Sequence, residues 1–179
     1  GYVIKDDDTD NTPNIISTEL HSRIAYFTGS IAGNISNVCI TKKALDKVGF
    51  FKEHMKISGD FDMWVRLAKE YQTGFIKENL IMLRDHSGQL SRKESLYIFH
   101  LKEDLEVYRY LDSYTPLALQ NECRQMMRYN KLAFYYTLML KATMKGNLKT
   151  GIQFYKELSS YDNIFLLTLS FIKAKLFKP

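Results

Sequence analysis

The stretch Ser58-Gly59-Asp60-Phe61-Asp62-Met63-Trp64-Val65-Arg66-Leu67 predicts a helix that begins with two acids in its first turn. Apolar residues then recur on one helical face: Met63, Trp64, Leu67, Ala68 and Tyr71. An acid in a first turn meets free backbone N–H groups and the positive end of the helix dipole, and both favour its ionised form. Asp60 is therefore either a helix cap or a proton acceptor. If Asp60 is only a cap, Asp62 is expected to be a solvated first-turn acid.

Short apolar runs alternate with turn residues on both sides of this helix, as far as residue 92. Residues 31–40 and 75–83 have the composition of strands, and residues 42–48 predict a helix that stops at Gly49. We therefore expect residues 1–92 to form an α/β region.

Helical periodicity dominates residues 93–179, which we predict to be an all-α extension. The apolar face of its first helix is Leu96, Phe99, Leu101, Leu105, Tyr108 and Leu111. Pro116 starts a second helix, and residues 132–142 continue it or form a third, up to a break at Gly146-Asn147. Two more helices are predicted at about residues 149–159 and 162–177. Aromatic residues at this spacing are expected in the core.

The composition limits the classes of function. A chain of 179 residues with 45% hydrophobic content can bury a core, and it contains no apolar run near the roughly 20 residues of a membrane-spanning helix. The net charge of +5 comes without a basic patch interleaved with exposed aromatics, so nucleic acid is not an expected partner. Cys39 and Cys123 are predicted to be reduced core thiols, which favours the cytoplasm.

Four segments in register resemble the second half of the catalytic domain of family 2 glycosyltransferases. They are residues 34–51, the helix start at Ser58–Leu67, residues 74–80, and Arg84-Asp85-His86. The resemblance covers roughly residues 30–92, about a third of the chain. It implies a partial GT-A fold over residues 1–92, followed by the helical extension over 93–179. One difference concerns the family's Glu-Asp pair, which reads Gly59-Asp60 here.

The resemblance also implies a reaction. Such an enzyme is inverting and metal-dependent, and it moves a sugar from a nucleotide-sugar donor to a hydroxyl of a glycan or lipid-linked acceptor, in bacterial cell-surface polysaccharide biosynthesis. Asp60 would be the general base. His86 would bind Mn²⁺ or Mg²⁺ or hydrogen-bond the diphosphate, unless it is an ordinary surface histidine. The residues predicted to bind substrate are Asn34, Asp62, Arg84 and Arg92.

The nucleotide-binding half of that family, with its metal-binding Asp-x-Asp, is not found in the sequence. Asp6, Asp8 and Asp10 are a possible substitute, since carboxylate oxygens suit Mg²⁺ or Mn²⁺. They lie only about fifty residues before Asp60, where the family has nearly twice that distance, and Lys5 precedes them instead of an apolar strand end. We therefore predict a solvated turn there, and we expect the chain to be a fragment that is inactive alone.

Two further hypotheses concern the helical extension. Its paired helices are also compatible with a helical-repeat scaffold that binds a protein partner without catalysis, although no repeat of fixed period is found. The apolar run at residues 164–172, followed by Lys173, Lys175 and Lys178, is too short to span a bilayer. It either lies at the surface of an anionic membrane, as a peripheral contact, or closes the core of the extension.

Overall fold

The computed structural model describes residues 12–32, 35–78 and 93–176, and helices make up most of them. The α-helices of this part are α1 Thr18–Thr28, α2 Lys42–Val48, α3 Gly59–Glu70, α4 Tyr97–Tyr114, α5 Leu117–Met127, α6 Ala133–Met144, α7 Leu148–Tyr161 and α8 Ile164–Leu176. Short 3₁₀ helices occur at Ile35–Asn37 and Glu94–Leu96.

The predicted α/β fold class, a partial GT-A core followed by helices, is wrong. The β structure of the described residues is one short antiparallel pair, β1 (Ile15–Ile16) with β2 (Thr73–Gly74). Ile15 stands opposite Gly74, and Ile16 stands opposite Thr73. A GT-A core requires helices layered on a sheet of longer strands. The described part of the chain is instead mostly all-α.

Residues 31–40 show why the strand prediction failed. Their apolar residues are interrupted by Asn and Ser, whose side chains bond to nearby backbone and favour turns. Asn37 Nδ2 donates to the carbonyl of Ala32 at 2.8 Å, residues 35–37 form a 3₁₀ turn, and residues 38–40 are irregular. A strand also needs a neighbouring strand to pair with, and the described residues provide none here. Residues 75–78 are irregular as well, and residues 79–83 lie outside the described part.

The helix boundaries agree better with the sequence, because they depend on local signals. Thr41 caps α2 by accepting from the Ala44 N–H at 3.2 Å, and Gly49 ends it with φ of 83°. Pro116 immediately precedes α5, and Gly146 separates α6 from α7 with φ of 77°. The sequence analysis missed α1, whose N-cap is Ser17.

Helices α5 and α6 are joined without a loop by a π-helical segment, Arg128–Leu132. Buried residues line one side of the joined helices: Cys123, Met127, Leu132, Tyr135 and Tyr136. The spacing along this side is four residues before the π segment, and five across it. Cys123 is buried as predicted, but Cys39 is exposed, so the prediction of two core thiols is wrong for Cys39.

One hydrophobic cluster draws residues from both sides of residue 92. Before it, Tyr26 on α1 and Phe61 on α3 contribute, and Tyr108 on α4 packs its ring against both, at centroid distances of 5.6 and 5.5 Å. The other members after residue 92 include Leu101, Leu105, Leu111, Leu132, Phe154, Leu158 and Leu167. The described parts of residues 1–92 and 93–179 therefore share a core, and the division into two domains at residue 92 stays a prediction.

Helices α6 and α7 approach closely at Gly151. A Cβ atom at this position would lie only 2.5 Å from Oγ1 and 3.7 Å from Cα of Thr143. None of the described helices combines the length and the apolar character needed to cross a bilayer.

Candidate functional site

Carboxylates from α3 and α4 gather where α3 begins, close to side chains of the π segment and α6. We call this group the Asp60 cluster. Its members are Ser58, Asp60, His100, Glu103, Asp104, Lys131 and Tyr135.

Glu103 fixes the chain that leads into α3. Its carboxylate accepts hydrogen bonds from the backbone N–H groups of Lys56, Ile57 and Ser58 at 2.9, 2.9 and 2.7 Å. Three charge-assisted bonds to successive backbone groups hold this loop against α4. The position of the α3 N-terminus, and hence of Asp60, is set by a helix more than forty residues later.

Asp104 is buried, and three donors surround its carboxylate. Ser58 Oγ and Tyr135 Oη donate to its two oxygens at 2.7 Å each, and Lys131 Nζ lies 3.3 Å from Oδ2. A buried charge is tolerated when it is paired and hydrogen-bonded in this way. Ser58 occupies the N-cap position of α3, but its hydroxyl serves Asp104 and does not cap the helix.

Asp60 is the second residue of α3 and is half-buried. It does not occupy the cap position, although its Oδ1 accepts from the Phe61 N–H at 2.7 Å. None of the described side chains hydrogen-bonds to it. Burial raises the pKa of Asp60, the backbone N–H groups oppose that rise, and the nearby charges of Asp104 and Lys131 act in opposite directions. Asp60 is therefore a stronger base than an exposed aspartate.

His100 lies one turn before Asp104 on α4. Its Nε2 atom is buried and has no hydrogen-bond partner among the described residues. Burial lowers the pKa of His100, a shift that the charge of Asp104 partly counteracts. The Asp60 cluster thus includes a neutral imidazole at neutral pH.

Asp62, predicted to bind substrate, is buried in a separate ion-pair network. Lys52 Nζ and Arg66 Nε each lie 2.8 Å from one of its oxygens. Arg66 also donates to the carbonyls of Val48 and Phe50. The network ties the loop after α2 to α3. Both oxygens of Asp62 are engaged, so its role in binding substrate stays a prediction that the geometry does not favour.

The other residues predicted for the site lie outside the described part of the chain. They are Asn34, Arg84, His86 and Arg92, together with Asp6, Asp8 and Asp10. The structure therefore places Asp60 and Asp62, but it says nothing about the other assignments.

Sequence reasoning missed the residues around Asp60, although one of them, Asp104, left a signal in the sequence. Asp104 interrupts the apolar face that Leu101, Leu105 and Tyr108 form on α4. A charge at such a position requires partners inside the protein. Glu103, Lys131 and Tyr135 left no comparable signal, because a half-buried charged residue or a buried aromatic does not stand out from the sequence pattern.

The predicted Mn²⁺ or Mg²⁺ site stays a prediction. The described residues contain no group of three or more His, Cys, Asp or Glu side chains that could hold a metal ion. In the Asp60 cluster, the carboxylates of Glu103 and Asp104 are occupied by backbone and side-chain donors. His86, the predicted ligand, is not among the described residues.

Comparison with protein-family models, with curated proteins and with solved structures finds no match to this chain.

Proposed function

We propose that this chain is part of an inverting glycosyltransferase in which Asp60 is the general base. The observation that carries the proposal is the state of Asp60 within the stretch that resembles these enzymes. It is a half-buried carboxylate with a raised pKa, not hydrogen-bonded by any described side chain, on a helix start fixed by Glu103.

The reaction requires a base at the acceptor. As the acceptor hydroxyl attacks the anomeric carbon of the donor sugar, its proton passes to a carboxylate oxygen of Asp60. The new bond joins the acceptor oxygen to that carbon, the bond to the nucleoside diphosphate breaks, and the configuration inverts. A pKa above that of an exposed aspartate brings the base closer to the working pH. The backbone N–H groups of Phe61 and Asp60 limit this rise of the pKa, and the charge of Lys131 adds to their effect.

The donor and its metal are proposed to bind elsewhere. Nucleotide-sugar contacts are assigned to Asn34, Arg84 and Arg92, and the dependence on Mn²⁺ or Mg²⁺ rests on His86; all four lie outside the described residues. The proposal therefore needs further donor-binding residues beyond those described. A cytoplasmic role in assembling cell-surface polysaccharide, on a glycan or lipid-linked acceptor, remains the role that the sequence resemblance favours.

The test is Asp60→Asn in the transferase that contains this chain. Asparagine keeps an oxygen for the Phe61 N–H but cannot take the proton, so turnover should fall by about 10² to 10⁴ with a nearly unchanged donor Kd. Asp46→Asn is the matched control, because Asp46 is an exposed acid on α2. Turnover of the Asp60→Asn protein within a few-fold of wild type would remove Asp60 from the mechanism.

A second candidate is a helical scaffold that binds a protein partner without catalysis. The observation in its favour is the mostly helical structure, with exposed apolar residues Leu148, Ile152 and Tyr155 on one face of α7. Under this hypothesis Asp60→Asn has no effect on function, whereas Ile152→Ser weakens partner binding. The two variants together distinguish the hypotheses.

A further inference from the structure

The net positive charge of the chain is concentrated at its C-terminal end. Residues 141–179 contain seven lysines and two acidic residues, which accounts for the whole net charge of +5. Residues 1–140 hold equal numbers of basic and acidic residues. A field of one sign over one part of a protein attracts an oppositely charged partner.

Helix α8, within this basic segment, is apolar on two sides. Its inward side is anchored by Leu167, which is fully buried, and by Phe171, whose ring centroid is 5.0 Å from that of Tyr136. Its outward side exposes four large apolar residues: Phe165 at 67%, Leu166 at 41%, Leu169 at 41% and Ile172 at 45%. These four, spaced by one, three and three residues, form a continuous outward stripe.

The charges on α8 are all positive. Lys173 and Lys175 follow the apolar stripe, and Ile164–Leu176 contains no acidic residue. Asp162, just before the helix, is neutralised by Arg128, whose Nε and Nη2 lie 2.6 and 2.7 Å from its two oxygens. Lys175 Nζ lies 5.7 Å from the ring centroid of Phe171, on the inward side, whereas Lys173 is exposed next to the stripe. The outward side of α8 therefore offers hydrocarbon with positive charge at its C-terminal end, and the helix has no acidic residue to compensate it.

We propose that the outward side of α8 lies in the interface of an anionic lipid bilayer. Such a surface provides acyl chains for the four apolar residues and negative headgroups for the lysines. A second copy of this chain fits less well, since it would bring one lysine-rich segment against another. At 13 residues, α8 is too short to span the bilayer and would lie along its surface. This inference is independent of the glycosyltransferase proposal.

Vesicle flotation of the 179-residue chain tests the proposal. We expect flotation with phosphatidylcholine vesicles that contain phosphatidylglycerol, but not with phosphatidylcholine alone. Binding should be present at about 0.05 M salt and weaken strongly at about 0.5 M, where screening is stronger. Phe165→Ser with Leu169→Ser should abolish flotation. Phe50→Ser, at an exposed phenylalanine outside the basic segment, should leave it intact.

A charge-reversal pair tests the electrostatic part separately. Lys173→Glu with Lys175→Glu should lower the partition coefficient by about tenfold or more, because each basic residue near an anionic surface contributes appreciably. Lys42→Glu with Lys43→Glu makes the same change of charge on α2 and should have little effect. Circular dichroism should show that each variant stays folded, since the substituted side chains are exposed.

Three results would overturn the proposal. The first is no flotation on anionic vesicles at low salt, and the second is equal flotation on neutral vesicles. The third is a concentration-dependent dimer that the Phe165→Ser, Leu169→Ser variant loses, which would make a second copy the partner of this face.

Discussion

Asp104 holds together segments that are far apart in sequence. It belongs to α4, whereas its donors Ser58 and Tyr135 come from the start of α3 and from α6. Because the carboxylate is buried, the loss of one donor leaves a charge that water cannot compensate. The arrangement that positions Asp60 should therefore contribute substantially to stability.

We predict that Tyr135→Phe lowers the free energy of unfolding by about 1.5–3 kcal/mol, the usual cost of a lost bond to a charged group. The matched control is the neighbouring Tyr136→Phe, which removes a neutral bond to Thr168 Oγ1 of 2.9 Å and should cost about 0.5–1.5 kcal/mol. Urea unfolding measures both. Equal costs for the two variants would mean that Asp104 does not depend on Tyr135.

The sequence could predict the position of Asp60 at the start of a helix, but not the residues that surround it. Acids followed by an apolar helical face are a local pattern, and α3 begins at Gly59, as this pattern indicates. The bonds between Ser58 and Asp104, and between Tyr135 and Asp104, connect residues 46 and 31 positions apart. No local pattern encodes such pairs. The same applies to Asp62, whose first-turn position suggested solvent exposure but whose partner Lys52 lies on the preceding loop.

At the level of elements, α6 and α7 pack closely where Gly151 of α7 faces Thr143 of α6. Gly151 permits this approach, because a methyl group at this position would meet the side chain of Thr143. The hydroxyl of Thr143 already donates to the Met139 carbonyl at 2.9 Å, so it cannot move away without losing that bond.

Gly151→Ala should therefore destabilise the protein by about 1 kcal/mol or more, since overpacking outweighs the better helix propensity of alanine. In a Thr143→Ala background the same substitution should stabilise, by up to about 1 kcal/mol, because only ordinary contacts at 3.6 Å or more remain. Thermal unfolding of the four proteins measures the difference. Stabilisation in both backgrounds would show that the helices are not in close contact.

Helices α2, α7 and α8 could be predicted because capping residues and periodicity act within a few positions. Asn147 is an example, since its side chain accepts from the Thr150 N–H at 3.2 Å at the start of α7. The strands predicted at residues 31–40 and 75–83 had no such support. A strand depends on partners elsewhere in the chain, and apolar runs alone do not specify them.

On the scale of the whole molecule, the ionisation of a buried histidine couples stability to pH. His21 on α1 is buried, and burial lowers its pKa to about 4 from the usual 6.5. Between these two values the unfolded chain binds a proton that the folded protein does not. Stability from this residue is therefore complete above about pH 6.5 and is lost as the pH falls toward 4.

We predict that the free energy of unfolding falls by about 1–2 kcal/mol between pH 7 and pH 5, since each unit of pKa difference corresponds to about 1.4 kcal/mol. His21→Leu should reduce this dependence, because the apolar side chain suits the buried position. His54→Gln, at an exposed histidine, should preserve it. An equally steep pH dependence in the His21→Leu protein would assign the effect to other groups.

The π segment between α5 and α6 determines where the chain could tolerate a change of length. From Met127 to Leu132, the buried side advances five residues, one more than a regular helix needs. Removal of the exposed Asn130 would convert this segment to regular α-helix and keep Leu132 and Tyr135 on the buried side, at the loss of one bond to Phe27. A one-residue deletion within α6 would instead turn every following side chain by about 100°. Related sequences should therefore show single-residue gaps at residues 128–132 and keep the length of α6 constant.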